Sequence, residues 1–181
     1  MKERKGLATI KGGPLTLLGN EIRTPMNAPD VELLNNDLEP VKLSSFRGKV
    51  CVITSVPSLD TPVCDTETRR FNQEATKLGS DVVVLTISMD LPFAQKRWCG
   101  ASGVNNVITL SDHRDAAFGT NYGVLIKELR LLARAVFVVD REGMVRYTQI
   151  VPEVTNEPDY DAVLKEVEKI SEAGSLRRRK E

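Results

Sequence analysis

Residues 50–65 read VCVITSVPSLDTPVCD, and this stretch contains a strand, a loop and the start of a helix. The apolar, β-branched run at residues 50–54 is typical of a strand buried on both faces. Pro62 suits the first position of a helix, with Thr61 as its N-cap. Cys64 therefore lies in the first helical turn, directly after a core strand.

Helical periodicity continues beyond Cys64. One face of the predicted helix is formed by Thr68, Phe71, Ala75 and Leu78. A second amphipathic pattern near the C-terminus predicts another helix, whose apolar face is formed by Tyr160, Val163, Leu164, Val167 and Ile170.

Further apolar runs predict the neighbouring strands. Residues 82–87 (VVVLTI) and 135–139 (AVFVV) have the composition of buried strands. Residues 144–150 can pair back on the second of these runs across the turn at residues 140–143. Strands alternating with helices predict an α/β fold, with a central mixed β-sheet flanked by helices on both faces.

The two ends of the chain have their own patterns. Residues of about 7–18 predict an N-terminal β-hairpin around Gly12-Gly13-Pro14. The charged run at the C-terminus, LRRRKE, indicates a frayed, basic tail over about residues 174–181. Because neither an internal repeat nor a low-complexity linker divides the chain, we expect a single domain over residues 1–181.

Composition narrows the function classes. The chain has 181 residues, with 25 Lys and Arg against 25 Asp and Glu. A formal net charge of zero provides no positive field to bind nucleic acid or an acidic membrane. The first 15 residues contain no sustained apolar segment of the kind that directs secretion, and no later stretch has the length of a membrane span. We therefore expect a cytoplasmic protein.

Cysteine is the residue type with the most chemical potential in this sequence. Three cysteines are too few for a scaffold held together by disulfides. Their odd number indicates reduced thiols, two of which could form a reactive pair. The position of Cys64 in a first helical turn, after the carboxyl end of a strand, favours the nucleophilic thiolate. Asp65 and Glu67 oppose a second anion beside them, so a purely structural Cys64 stays an alternative. Cys51 lies inside a buried strand, where simple packing explains it.

Residues 57–64, PSLDTPVC, fit the peroxiredoxin pattern of proline, three residues, threonine, two residues and cysteine. More narrowly, the chain resembles the bacterial thiol peroxidases, the atypical two-cysteine branch of that family. Three further stretches carry the resemblance: ATIKG at 8–12, FAQKRWC at 93–99 and LARAVFVVD at 132–140. The similarity extends over nearly the whole chain.

The resemblance implies a thioredoxin-like fold and a role for five residues. Cys64 is implied as the peroxidatic cysteine and Cys99 as the resolving one, which closes an intramolecular disulfide. Thr61 is expected to hydrogen-bond the thiolate and the peroxide. Arg134 is expected to hold the thiolate and the reacting oxygens, and Pro57 to shield the site from water.

The resemblance also implies partners. Hydrogen peroxide and organic hydroperoxides are the expected substrates, thioredoxin the expected reductant and a homodimer the expected assembly, with no cofactor and no metal. Gly100 and Gly103 follow Cys99 and predict the end of a short helix there, which we expect to unwind when the disulfide forms.

Three alternatives remain open from the sequence. A thioredoxin-like disulfide reductase or protein-binding module is disfavoured because the chain lacks a C-x-x-C motif. A structural zinc site would have to use Cys51, Cys64, Cys99 and His113, but their spacing along the chain does not match that of zinc-binding motifs. A non-catalytic interaction domain would not need Cys64 at all.

Overall fold

The computed structural model describes residues 1–179. Its strands are β1 (Glu3–Ile10), β2 (Gly13–Leu18), β3 (Met26–Asn27), β4 (Glu32–Leu34), β5 (Pro40–Lys42), β6 (Val50–Ser55), β7 (Val82–Ser88), β8 (Val107–Ser111), β9 (Leu125–Ile126), β10 (Ala135–Val139) and β11 (Met144–Ile150). Its helices are α1 (Pro62–Ala75), α2 (Pro92–Ser102), α3 (Ala117–Asn121) and α4 (Tyr160–Arg178), and a 3₁₀ turn spans Leu43–Phe46.

The central sheet is mixed, which confirms the predicted α/β fold with its thioredoxin-like arrangement. Eight strands follow the order β3-β11-β10-β6-β7-β8-β4-β5. The pairs β6–β7 and β7–β8 are parallel, whereas β10 pairs antiparallel with both β6 and β11. Strand β6 therefore lies in the middle of the sheet, and its carboxyl end leads directly into the loop before α1.

Alternate residues of the central strands pack into two separate apolar clusters, one on each face of the sheet. Val50 and Val52 of β6 join Phe71 of α1 and Val163 of α4 on one face. Ile53, the next residue after Val52, packs on the other face with α3 and the N-terminal hairpin. Both faces of β6 are buried, which explains its unbroken apolar sequence.

The N-terminal hairpin is confirmed, with its turn shifted by one residue. Ile10 pairs with Gly13, so the two turn residues are Lys11 and Gly12, while Gly13 and Pro14 belong to β2. Lys11 and Gly12 have φ values of 48° and 78°. Two consecutive positive φ values give a two-residue turn whose twist matches that of the strands it joins.

The tail predicted over about residues 174–181 begins within helix α4. Helix α4 continues to Arg178, while residues 180 and 181 lie outside the described residues. The end of α4 packs on the β10–β11 turn. There Arg177 pairs with Glu142 at 3.5 Å, and the missing side chain of Gly174 leaves room for Arg141.

Several short strands carry no sequence signal of their own. The sequence analysis predicts no strand at β3, β4, β5 or β9, which have two or three residues each. Strands this short are fixed by their partners in the sheet rather than by local preference. Strand β8 was also not predicted, although its sequence VITLS is rich in β-branched and apolar residues, which are typical of a strand. None of the described helices combines the length and the apolar character that a membrane span requires.

Candidate active site

Cys64 occupies the first turn of α1, at the carboxyl end of β6. The helix begins at Pro62, and Thr61 is its N-cap with an extended backbone. The Cys64 side chain is fully buried and packs with Val56 and Leu59 of the preceding loop. Unpaired amide hydrogens at a helix start favour a negative charge.

Arg134, just before β10, brings a positive charge to the buried sulfur. Its Nη2 donates to the Sγ of Cys64 at 3.2 Å, and its Nη1 forms an ion pair with Glu67. Its Nε donates to the carbonyl oxygen of Val154 at 3.0 Å. Only 1% of Arg134 is exposed, so all three donor groups of this planar side chain point to fixed partners.

The buried arginine stays charged. Burial opposes its charge, but the attraction of Glu67 and Cys64 outweighs that penalty and raises the pKa of Arg134 above its ordinary value. A buried guanidinium that lies between a sulfur and a carboxyl group stabilises the negatively charged form of either group.

Glu67 is a site residue that the sequence analysis did not assign to the site. It is completely buried, and burial raises its pKa to about 7 despite the opposing effect of Arg134. Its Oε1 has no hydrogen-bond partner among residues 1–179. The sequence feature that could have identified Glu67 is its spacing, because a residue three positions after Cys64 lies on the same side of the helix.

The loop that carries Pro57 is held by a residue from another strand. Asp90, just after β7, accepts hydrogen bonds from the Oγ of Ser58 at 2.7 Å and from the amide of Leu59 at 2.8 Å. Pro57 is half-buried in this loop. The Oγ1 of Thr61 donates to the carbonyl oxygen of Ser58 at 3.0 Å, which leaves its lone pairs available to accept a hydrogen bond.

Cys99 lies on α2, away from the Cys64–Arg134 pair. It is half-buried, and its sulfur stands 3.5 Å from the Oγ1 of Thr109 on β8. Cys64 and Cys99 are both free thiols. The helix end predicted after Cys99 lies at Gly103, which has a left-handed φ of 64°, while α2 continues through Gly100 to Ser102.

Trp98 joins the two cysteine-bearing helices. Its ring packs against the cluster around Cys64, and its Nε1 donates to the Oδ1 of Asp65 at 3.1 Å. One turn further along α1, Arg69 pairs with Asp65 at 2.8 Å and donates to the carbonyl oxygen of Ser102 at 3.0 Å. The first turn of α1 and the second half of α2 are therefore tied together.

The third cysteine has different surroundings. Cys51 lies near the start of β6, at the opposite end of that strand from Cys64, and 6% of it is exposed. Its sulfur is 3.8 Å from the carbonyl oxygens of Phe46 and Lys49, and burial raises its pKa to about 12. Within residues 1–179, no group of three or more potential ligands is placed to hold a metal ion, so the zinc alternative has no geometric basis there.

Comparison with known proteins connects this geometry to a family. The Redoxin family model matches residues 24–164. A relative named thiol peroxidase, from Bacillus subtilis (strain 168), is 59% identical over 153 residues, which cover 84% of this chain and 91% of the relative. A thiol peroxidase from Oceanobacillus iheyensis is 58% identical over 161 residues, or 89% of this chain and 98% of the relative.

A solved structure agrees in fold and sequence. The crystal structure of a peroxiredoxin-like protein from Aquifex aeolicus superposes with a TM-score of 0.86 and 42% sequence identity, covering 94% of this chain and 99% of that one. The chain belongs to the redoxin family and, within it, to the thiol peroxidases.

Proposed function

We propose that this thiol-dependent peroxidase uses Cys64 as its nucleophile toward hydrogen peroxide and organic hydroperoxides. The observation that carries the proposal is the 3.2 Å hydrogen bond from the Nη2 of Arg134 to the Sγ of Cys64. Both groups are buried, where a fixed positive charge acts on a sulfur anion far more strongly than in water. Of the three cysteines, only Cys64 accepts a hydrogen bond from a charged side chain among the described residues.

Thiolate formation alone does not account for fast peroxide reduction. An ordinary thiol with a pKa of about 8.5 is ionised to only a few per cent at neutral pH, so full ionisation gains roughly thirtyfold. Nucleophilicity falls as the pKa falls, which cancels roughly tenfold of that gain. The larger contribution has to come from aligning the O–O bond with the sulfur and stabilising the departing oxygen.

The chemistry follows from the balance of bonds. The thiolate of Cys64 attacks one peroxide oxygen, an S–O bond forms, and the O–O bond breaks. The departing oxygen takes up a proton and leaves as water or an alcohol, so that Cys64 becomes a sulfenic acid. The thiol of Cys99 then attacks that sulfur, the disulfide forms, and water is released.

The remaining site residues have supporting roles in this proposal. Thr61 keeps an acceptor position for the peroxide hydrogen, because its own hydrogen is donated to Ser58. Pro57 covers the site from the loop held by Asp90. Cys64 and Cys99 belong to different helices, so the first turn of α1 and the second half of α2 unwind to bring the sulfurs together.

Partners and setting belong to the same proposal. We infer that thioredoxin reduces the disulfide, that two chains form a homodimer, and that the protein works in the cytoplasm without a cofactor. The proposal also includes one domain over residues 1–181. In its support, the N-terminal hairpin hydrogen-bonds to the segment after β11, through Thr9 to Pro152 at 2.7 Å and from Val154 to Thr9 at 2.9 Å.

The test is consumption of hydrogen peroxide and of cumene hydroperoxide, with dithiothreitol and with thioredoxin plus its reductase. We expect multiple turnovers with both reductants, and faster turnover with thioredoxin. The variant Cys64→Ser is expected to lose the activity. An unreactive wild-type protein would instead support the disulfide reductase or protein-binding module.

A further inference from the structure

Arg134 depends on a contact outside the Cys64 pocket. Its Nε donates to the carbonyl oxygen of Val154, which lies in the segment between β11 and α4. The same segment begins with the amide of Val151, which donates to the carbonyl oxygen of Arg134 at 2.9 Å. The backbone at residues 151–154 therefore fixes Arg134 at both its main chain and its side chain.

The N-terminal hairpin holds this segment from the outside. The amide of Thr9 donates to the carbonyl oxygen of Pro152 at 2.7 Å, and the amide of Val154 donates to the carbonyl oxygen of Thr9 at 2.9 Å. Thr9 and Glu153 form an isolated parallel bridge. Residues 152–154 thus run alongside β1 as a short added strand.

Glu153 stabilises the pairing of residues 152–154 with β1 through contacts at the hairpin turn. Its carboxylate accepts hydrogen bonds from the amides of Lys11 at 2.7 Å and Gly12 at 3.1 Å. The same carboxylate accepts from the hydroxyls of Thr9 at 2.5 Å and Thr155 at 2.9 Å. Two successive positive φ values turn the two amides toward one point, which is the geometry that binds an anion.

The carboxylate stays ionised across the working range of pH. Hydrogen bonds, that of Thr9 foremost, lower the pKa of Glu153 to about 2. A depressed pKa means that its stabilising contribution is present above the ordinary carboxyl pKa and is lost only as the pH falls toward 2. The connection between hairpin and segment therefore does not titrate near neutral pH.

We propose that Glu153 is a positioning residue for Arg134, and that the N-terminal hairpin is the support through which it acts. The Nε–Val154 hydrogen bond sets the plane of the guanidinium, and that plane directs Nη2 at Cys64 and Nη1 at Glu67. Without Glu153 the segment at residues 152–154 is less restrained, and Arg134 holds the sulfur less well. The inference rests on the proposed role of Cys64 as the nucleophile.

The hairpin offers a matched control. Glu128 is an exposed carboxylate that, like Glu153, accepts hydrogen bonds from the hairpin; both of its oxygens lie 3.0 Å from the amide of Thr16. It lies after β9 and has no part in the Val154 segment. The substitutions Glu153→Gln and Glu128→Gln therefore each remove a carboxylate that holds the hairpin, one from the segment that leads to Arg134 and one from outside it.

Two readouts test the proposal: the rate constant for peroxide reduction, and the pH profile of Cys64 alkylation by iodoacetamide, followed by peptide mapping. We expect Glu153→Gln to slow peroxide reduction about tenfold, the lower end of the effect of orienting partners elsewhere. We expect it also to move the midpoint of the alkylation profile to higher pH. Glu153→Asp should recover part of both effects, and Glu128→Gln should match the wild type.

A second variant keeps the test independent of folding defects. Thr9→Val removes the hydroxyl that contacts Glu153 and the carbonyl oxygen of Pro152 but keeps the backbone pairing, and it should shift the alkylation profile in the same direction. If Glu153→Gln and Thr9→Val both gave the profile of Glu128→Gln, Glu153 would have no positioning role. The alkylation profile needs no peroxide, so this result is distinct from a failure of the proposed peroxidase function.

Discussion

Cys51 and Cys64 are both buried, but their surroundings give them opposite chemistry. Cys51 is 6% exposed and Cys64 is fully buried. Cys51 lies near the start of β6, and Cys64 lies in the first turn of the helix that follows this strand. The sulfur of Cys51 contacts two carbonyl oxygens at 3.8 Å, and burial raises its pKa to about 12 despite the opposing charge of Lys49. The sulfur of Cys64 accepts a hydrogen bond from a buried guanidinium.

The difference shows that burial alone does not make a cysteine inert. A buried anion is unfavourable when it has no charge partner, and a buried cation nearby removes much of that cost. Cys64 has both a helix N-terminus and Arg134, whereas Cys51 sits in the middle of a sheet, whose strands have little net dipole.

The largest expected effect separates the two cysteines directly. Cys64→Ser should lower the rate of peroxide reduction by at least about a thousandfold, because a serine hydroxyl is a far weaker nucleophile at neutral pH. Cys51→Ser should stay within about twofold of the wild type, since the carbonyl oxygens of Phe46 and Lys49 can accept its hydroxyl. Stopped-flow measurement of peroxide loss compares the two variants, and equal rates would contradict the contrast.

The next largest effect concerns Arg134. Arg134→Lys keeps a positive charge but loses the three-way set of donors, and we expect about a hundredfold slower peroxide attack. The comparison is made at a pH where alkylation shows the Cys64 thiol of each protein to be fully ionised. A matched control is Arg146→Lys, whose ion pair with Asp140 at 2.6 Å lies away from the site. If Arg134→Lys equals the wild type once ionised, Arg134 acts only on thiolate formation.

Glu67 provides a smaller effect of opposite sign. Because Arg134 carries one positive charge between two acidic groups, Glu67 competes with Cys64 for it. Glu67→Gln removes the competing charge, so alkylation of Cys64 by iodoacetamide at neutral pH should become a few-fold faster. Slower alkylation would mean that Glu67 orients Arg134 more than it competes.

The same residue predicts a pH dependence of stability. The pKa of Glu67 is raised from its ordinary 4.5 to about 7, so the folded protein binds this proton more tightly than the unfolded chain does. Its contribution is fully present below about 4.5 and is lost as the pH rises through about 7. The free energy of unfolding of wild type minus Glu67→Gln should therefore decrease over that range, as measured by urea unfolding. A constant difference would contradict the raised pKa.

The smallest expected effect is on the resolving step. Trp98→Phe removes the hydrogen bond to Asp65 that joins α2 to the first turn of α1. A hydrogen bond of this kind contributes about 1 kcal/mol, so disulfide formation should become a few-fold faster when the helices unwind more easily. Quenched-flow mass analysis follows the sulfenic acid and the disulfide. The control is Phe93→Leu, an exposed aromatic residue on the same helix, and an unchanged rate in Trp98→Phe would show that the contact does not restrain unwinding.

Local sequence signals predicted the part of the site that local structure forms. The apolar run of β6 and the proline at the start of α1 place Cys64 in a first helical turn, and both elements are observed. Arg134 entered through the family resemblance and not through a local pattern. Its position beside Cys64 depends on β10 pairing with β6.

The unpredicted parts depend on contacts between distant segments. Glu67 was visible as an acidic residue in α1, but its burial against Arg134 follows from the packing of the sheet. Asp90 supports the Pro57 loop from the end of β7, and Glu153 reaches the hairpin turn from the far end of the chain. No periodicity within either segment indicates such a partner.

The most direct test of the central claim is peptide mapping of all three cysteines after treatment with a modest excess of hydrogen peroxide. The wild type should lose two hydrogens and yield a Cys64–Cys99 bridge, with Cys51 still reduced. In Cys99→Ser a sulfenic acid should be trapped at Cys64. Oxidation of Cys51 at a comparable rate, or a Cys64 that stays reduced, would contradict the account.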